Sequence, residues 1–207
     1  MPPHSLEDTL QTGALGDDAF PSDPSWAHVS GWNQLSGALR KLSCVVSSLE
    51  EAEELSRLLP TLSDTLTECG YPWEVIIVST GASERTTQLL RGWAEIPGFW
   101  SVALAQTAGR AAALTAGLEA SRGDAVIILS CVPRMLSHLL PRAILHWESG
   151  AQLVYAIPDE TRQPASLGWW DAQMVDRMIE GNLPVTLPPG STDLALLDRR
   201  VVKFLLG

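Results

Sequence analysis

The chain has 207 residues, 45% of them hydrophobic and 18% charged, with 24 acidic side chains against 14 basic ones and a formal charge of −10. A chain of this size closes one hydrophobic core, and so negative a surface repels phosphates, which argues against nucleic acid as a partner. It contains no uninterrupted apolar run of ~18 residues, so no transmembrane segment is expected.

Residues 1–34 read as a flexible acidic leader, with Pro2, Pro3, Pro21 and Pro24 and no apolar period long enough to bury a face. Five acids (Glu7, Asp8, Asp17, Asp18, Asp23) precede the first base, Arg40. The opening Met1-Pro-Pro-His-Ser5 lacks the basic start and apolar stretch of a secretory signal, so the expected location is cytoplasmic. Residues 35–207 read as a single domain.

Leu42–Val46 has the apolar, β-branched character of a strand, and Ser48-Leu-Glu-Glu51 reads as a capping box for the helix that follows. That helix carries Leu55, Leu58, Leu59, Leu62 and Leu66 in one apolar stripe, and Gly70-Tyr-Pro72 stops it. Glu74–Val78 is a second strand, apolar on both faces as a central parallel strand is. Gly81-Ala-Ser83 turns into a helix with Leu89, Leu90, Trp93 and Ile96 expected inward. Trp100–Leu104 reads as a third strand, followed by a small-residue helix from about Ala108 to Ser121 with Gly123 as its left-handed cap. Ala125–Leu129 is a fourth strand. The helix after Pro133 places Leu136, Leu140, Ile144 and Trp147 on one side and ends at Gly150, and Gln152–Ile157 is a fifth strand.

Repeated β-then-α units imply an α/β domain, a doubly wound, mostly parallel sheet with helices on both faces. Sites in such folds lie beyond the carboxyl ends of the strands. The loops of interest are therefore Ser47–Glu51, Ser79–Glu84, Gln106–Arg110, Ser130–Arg134 and Pro158–Gly168.

Three segments in order resemble glycosyltransferase family 2, the GT-A fold, and within it the polyprenyl- or dolichyl-phosphate sugar synthases. Trp73-Glu-Val-Ile-Ile-Val-Ser-Thr-Gly-Ala-Ser-Glu-Arg-Thr86 is similar to the family's strand and Asp-Asp-Gly-Ser-x-Asp-x-Thr turn. Gly109-Arg-Ala-Ala-Ala-Leu-Thr-Ala-Gly-Leu118 with Ser121-Arg-Gly-Asp-Ala125 is similar to its Gly-Lys-x-x-Ala-x-x-x-Gly helix and Gly-Asp strand entry. Asp193-Leu-Ala-Leu-Leu-Asp-Arg-Arg-Val-Val202 resembles its acceptor-side Asp-Phe-Arg-Leu-x-x-Arg segment. The likeness runs from about Leu42 to Phe204.

The resemblance implies a UDP- or GDP-linked sugar donor and a divalent cation, Mg²⁺ or Mn²⁺, held by an Asp-x-Asp motif after the fourth strand. A departing diphosphate gains negative charge as the glycosidic bond breaks, and a hard cation held by carboxylates neutralises it. Here the matching positions are Ser130, Cys131 and Val132, so no metal ligands are found, and the nucleoside acid after the second strand is replaced by Ser79 and Thr80. The expectation is a family 2-like domain impaired in transferring a hexose to a polyprenyl phosphate or similar acceptor. The alternative is a non-catalytic pseudo-glycosyltransferase, a binding or assembly module beside a protein partner or paralogue. The donor-side residues the resemblance marks are Glu51, Ser79, Thr80, Gly81, Gly109, Arg110, Ser130 and Arg134, with Arg110 and Arg134 as fixed cations for the diphosphate. Asp193 is the candidate base for the acceptor. Asp198 reads instead as the N-cap of the last helix, and the Trp169-Trp170 helix as packing against the sheet or a partner. Cys44, Cys69 and Cys131 suit neither a disulfide framework nor a zinc site.

Overall fold

The computed structural model describes residues 10–13, 40–48, 52–106, 108–129, 136–156 and 194–207. In chain order the strands are β1 (Leu10–Gly13), β2 (Leu42–Ser48), β3 (Trp73–Thr80), β4 (Phe99–Leu104), β5 (Ala125–Leu129), β6 (Leu153–Ala156) and β7 (Leu194–Asp198). The helices are α1 (Ala52–Glu68), α2 (Glu84–Ala94), α3 (Arg110–Ala120), α4 (Leu136–Glu148) and α5 (Arg199–Leu206). They build one sheet of order β1-β6-β7-β5-β2-β3-β4.

β2 runs parallel to both β3 and β5, and β3 parallel to β4, which is the doubly wound core expected from the alternation of elements. β3 and β5 are buried along almost their whole length, so their unbroken Val and Ile runs bury both faces. α1, α2 and α4 cover one face through Leu55, Leu59, Leu62, Leu90, Leu140 and Ile144. α3 and α5 cover the other through Leu114, Leu118, Val201 and Val202. All five leucines of the α1 stripe are buried, and each such side chain contributes about 1.5–3 kcal/mol of apolar transfer.

The expectations are corrected at four places. The run Leu194–Asp198 is a strand, β7, inserted antiparallel between β5 and β6. Its alternation is hidden because both its faces are buried, Leu194 and Leu196 in one layer and Ala195 and Leu197 in the other. Ile96 is 42% exposed rather than inward, because α2 ends at Ala94 and the chain has already left the helix. Gly123 is not a left-handed cap, since α3 ends on extended Ser121. What requires glycine at 123 is crowding, because a Cβ there would meet the backbone nitrogen of Ser43 at 2.5 Å. Ser48 closes β2 rather than starting a helix, and Leu49–Glu51 of the expected capping box lie outside the described residues.

Leu10–Gly13, inside the stretch expected to be a leader, pairs antiparallel with β6. Cys44 is buried and Cys69 partly so, both as free thiols, while Cys131 lies outside the described residues. Burial pushes the Cys44 thiol far above its ordinary range, as suits an inert core residue. Among the described residues no helix is long and apolar enough to cross a membrane.

Candidate functional site

The carboxyl edge of the sheet is set by the strand register. Ser48 at the end of β2 stands beside Ser79 of β3, which stands beside Ala103 of β4, and Thr80 stands beside Leu104. Ser79 is only 6% exposed and Thr80 is half-buried. Thus the position where the family resemblance implies a nucleoside acid holds a buried hydroxyl, fixed within the ladder.

After Thr80 the chain turns at Gly81, whose φ of +63° lies in the left-handed region that favours glycine. The turn also packs closely against the loop after β4, since a Cβ on Gly81 would meet Gln106 Cγ at 2.6 Å. Ser83 then caps α2, its hydroxyl accepting from the Thr86 amide at 3.1 Å, so the β3–α2 loop is short and fixed at both ends.

α3 opens beyond the same edge. Gly109 is its extended N-cap residue and supplies no side-chain acceptor, so the first-turn amides gain no cap from it. Such a terminus carries partial positive charge. The helix is seated by Gly117, where a Cβ would meet Val45 Cγ1 at 2.4 Å, so its axis lies close on β2 and β3. The structure therefore gathers Ser79, Thr80 and Gly81 at the end of β3, with Gly109 and the first residue of α3, Arg110, following β4.

Leu129, the last residue of β5, lies opposite Leu194, the first of β7. The chain leaves this pair toward Ser130 on one side and Asp193 on the other. Ser130, Arg134, Asp193 and Glu51 themselves lie outside the described residues, as do the Trp169-Trp170 helix and the Pro158–Gly168 loop. Two features at this edge escape sequence reading. Gln106 packs on Gly81, and Arg85 Nη1 pairs with Glu53 Oε1 at 3.3 Å between the starts of α2 and α1. No local signal links residues 32 apart in the chain, and with both side chains largely exposed the pair contributes little.

A connected network of buried polar groups stands at the opposite, amino edge. Glu74, 3% exposed, accepts from Lys41 Nζ at 2.6 Å, the Ser43 hydroxyl at 2.6 Å and the Arg122 amide at 2.7 Å. Burial raises its pKa, but these three hydrogen bonds and the Lys41 charge outweigh that, and the net result is lowered. Ser43 Oγ also accepts from the Gly123 amide at 2.7 Å, and the backbone amide of Lys41 donates to Asp124 Oδ2 at 2.8 Å. Asp198 caps α5, as expected from sequence, accepting from the Arg200 amide at 2.9 Å and from Trp147 Nε1 at 3.0 Å. Its carboxyl too is driven up by burial and further down by the Arg200 and Trp147 hydrogen bonds, for a lowered pKa. Arg199 donates through Nε to the Gly123 carbonyl at 2.6 Å. These groups join β2, β3, β5 and β7 at the end remote from the candidate site, so they serve the fold.

A cation requires oxygen ligands, chiefly carboxylates. With β5 ending at Leu129, the residues that follow it are Ser130, Cys131 and Val132, a hydroxyl, a thiol and an isopropyl group. That donor set does not fit Mg²⁺ or Mn²⁺. Among the described residues, no three His, Cys, Asp or Glu side chains gather as a metal site.

The family model for glycosyl transferase family 2 matches residues 43–206. An uncharacterised glycosyltransferase of Synechocystis sp. is 27% identical over 163 residues, 78% of this chain and 51% of its own length. The undecaprenyl-phosphate 4-deoxy-4-formamido-L-arabinose transferase of Pseudomonas aeruginosa is 29% identical over 168 residues, 80% of this chain and 49% of its own. The chain thus spans about half the length of the curated relatives it matches. Among solved structures, the mannosyltransferase PcManGT of Pyrobaculum calidifontis, in complex with GDP-Man and Mn²⁺, superposes with a TM-score of 0.49 at 23% identity, covering 83% of this chain and 48% of that one.

Proposed function

The chain belongs to glycosyl transferase family 2, and from that premise we propose that it is a donor-binding domain of the family impaired in metal-dependent hexose transfer. Its ligand class is a UDP- or GDP-linked sugar. The acceptor class is a polyprenyl phosphate, in keeping with the name of the Pseudomonas relative. In this reading Arg110 and Arg134 contact the diphosphate as fixed cations, Glu51, Ser79, Thr80, Gly81, Gly109 and Ser130 line the donor side, and Asp193 faces the acceptor. Three widely spaced cysteines, Cys44, Cys69 and Cys131, odd in number and without paired spacing, support a reducing, cytoplasmic setting.

The observation that carries this reading is the donor set after β5. Loss of one principal electrostatic stabiliser of a transition state costs about 3–4 kcal/mol, or 10²–10³ in rate. Here the metal carboxylates and the nucleoside acid are both replaced. The test is a transfer assay with UDP- and GDP-hexoses and undecaprenyl phosphate, with and without Mn²⁺. We expect no metal-stimulated product. Metal-stimulated transfer at a rate ordinary for enzymes, on the order of 1 s⁻¹ or above, overturns the proposal.

A further inference from the structure

The sheet ends at β4, and among the described residues nothing pairs with its outer edge. Edge strands are templates for pairing, and proteins ordinarily blunt them with a charge, a proline or a bulge. Phe99-Trp-Ser-Val-Ala-Leu104 contains neither a charge nor a proline. The uncharged run is longer than the strand, reaching from Ile96 to Gly109 between Glu95 and Arg110. In a chain of net charge −10 this is a neutral strip where two copies can approach with little repulsion.

The strip also carries exposed apolar surface. Trp100, Val102 and Leu104 alternate onto one face of β4. Val102 and Leu104 pack partly against the layer that α3 covers, whereas Trp100 is 57% exposed and Ile96, just before the strand, is 42% exposed. A two-fold axis through Val102 sets Trp100 against Leu104 of the partner subunit, a large ring beside a smaller aliphatic, with Val102 facing its own copy. Such a match is self-complementary, as a two-fold contact requires.

We propose that the outer edge of β4 pairs antiparallel with the same edge of a second copy, making a homodimer with one continuous sheet. The proposal is independent of catalysis and does not rest on the reading of the donor site.

Sedimentation equilibrium of the full chain tests it, alongside Trp100→Lys, Ala103→Lys and Leu145→Lys. All three positions are exposed, Leu145 on α4 away from β4, so circular dichroism spectra should match wild type, while melting of the two β4 variants should lose the stabilisation that association gives wild type. We expect wild type and Leu145→Lys to be dimers, and Trp100→Lys and Ala103→Lys to weaken association by at least about tenfold. Hydrogen exchange should show β4 amides losing protection in the two β4 variants. A wild-type monomer at every concentration overturns the proposal, including one whose β4 amides are protected by another part of its own chain. A dimer unaffected by both β4 variants overturns it too.

Discussion

The Ser43 hydroxyl donates to Glu74 Oε1 at 2.6 Å, tying the first residues of β2 to those of β3. The same Ser43 oxygen accepts from the Gly123 amide at the entry to β5, so one hydroxyl and one carboxylate hold three parallel strands in register at the edge away from the candidate site. Removing the carboxylate takes the acceptor from Lys41 Nζ and the Ser43 hydroxyl and leaves the Arg122 amide only its longer bond to Ser43 Oγ at 3.2 Å. Glu74→Ala should therefore destabilise the fold by about 3 kcal/mol, read as a lower urea midpoint with an unchanged m-value.

The same group gives the fold a pH dependence of known sign. Glu74 and Asp198 have folded pKa values lowered below their ordinary ones. Unfolding returns them to about 4, so over that window the unfolded chain binds more protons and stability rises with pH. Their contribution is fully present above the unfolded values and is lost as pH falls through the lowered folded values. Urea midpoints between about pH 6 and pH 3 should fall steeply for wild type and less steeply for Glu74→Gln.

Gly123 is a steric requirement. A Cβ at this position would press on the Ser43 nitrogen at 2.5 Å, its Oγ at 2.7 Å and the Leu42 carbonyl carbon at 2.8 Å, and two of these are backbone atoms that cannot swing aside. Gly123→Ala should cost about 2 kcal/mol by overpacking, measured as a drop in Tm. Gly109→Ala, with open space around its Cβ, should leave Tm near wild type.

Asp198 caps α5 and receives the Trp147 indole, linking the last helix to α4. Asp198→Ala should cost about 1–2 kcal/mol, the range for a lost cap. Asp198→Asn keeps one acceptor oxygen for the Arg200 amide but turns an NH2 toward Trp147 Nε1, so it should recover only part of that in the same denaturation experiment.

Carboxylates placed back after β5 should restore a cation site if their absence is what disables it. Ser130→Asp combined with Val132→Asp should acquire Mn²⁺-dependent binding of a nucleotide-sugar, read by calorimetry, while either single variant gains less. A double variant that binds no better with Mn²⁺ than without contradicts this account of the loss.

Much of the fold was legible because periodicity records burial directly. The five leucines of α1 and the apolar runs of β3 and β5 announce one-faced and two-faced burial, and the structure places them so. β7 was hidden because Leu194–Leu197 are buried on both sides by layers far off in the chain. Gly123 was misread because helix-ending and crowded glycines look alike in sequence, and only the approach of Ser43 separates them. At the candidate site, Ser79, Thr80, Gly81 and Gly109 could be placed from the order of strands and turns. Gln106 against Gly81 and Glu53 against Arg85 could not, since neither contact has a spacing that marks it.

The most direct measurement is the melting temperature of the purified full chain with UDP, GDP and their hexose conjugates, each with and without Mn²⁺. Binding to the folded state raises stability by RT ln(1 + [L]/Kd), so any tight donor complex moves the transition. We expect a nucleotide-sugar to raise Tm by the same amount whether or not Mn²⁺ is present, and Mn²⁺ alone to have no effect. A rise that appears only when Mn²⁺ accompanies the nucleotide-sugar contradicts the account.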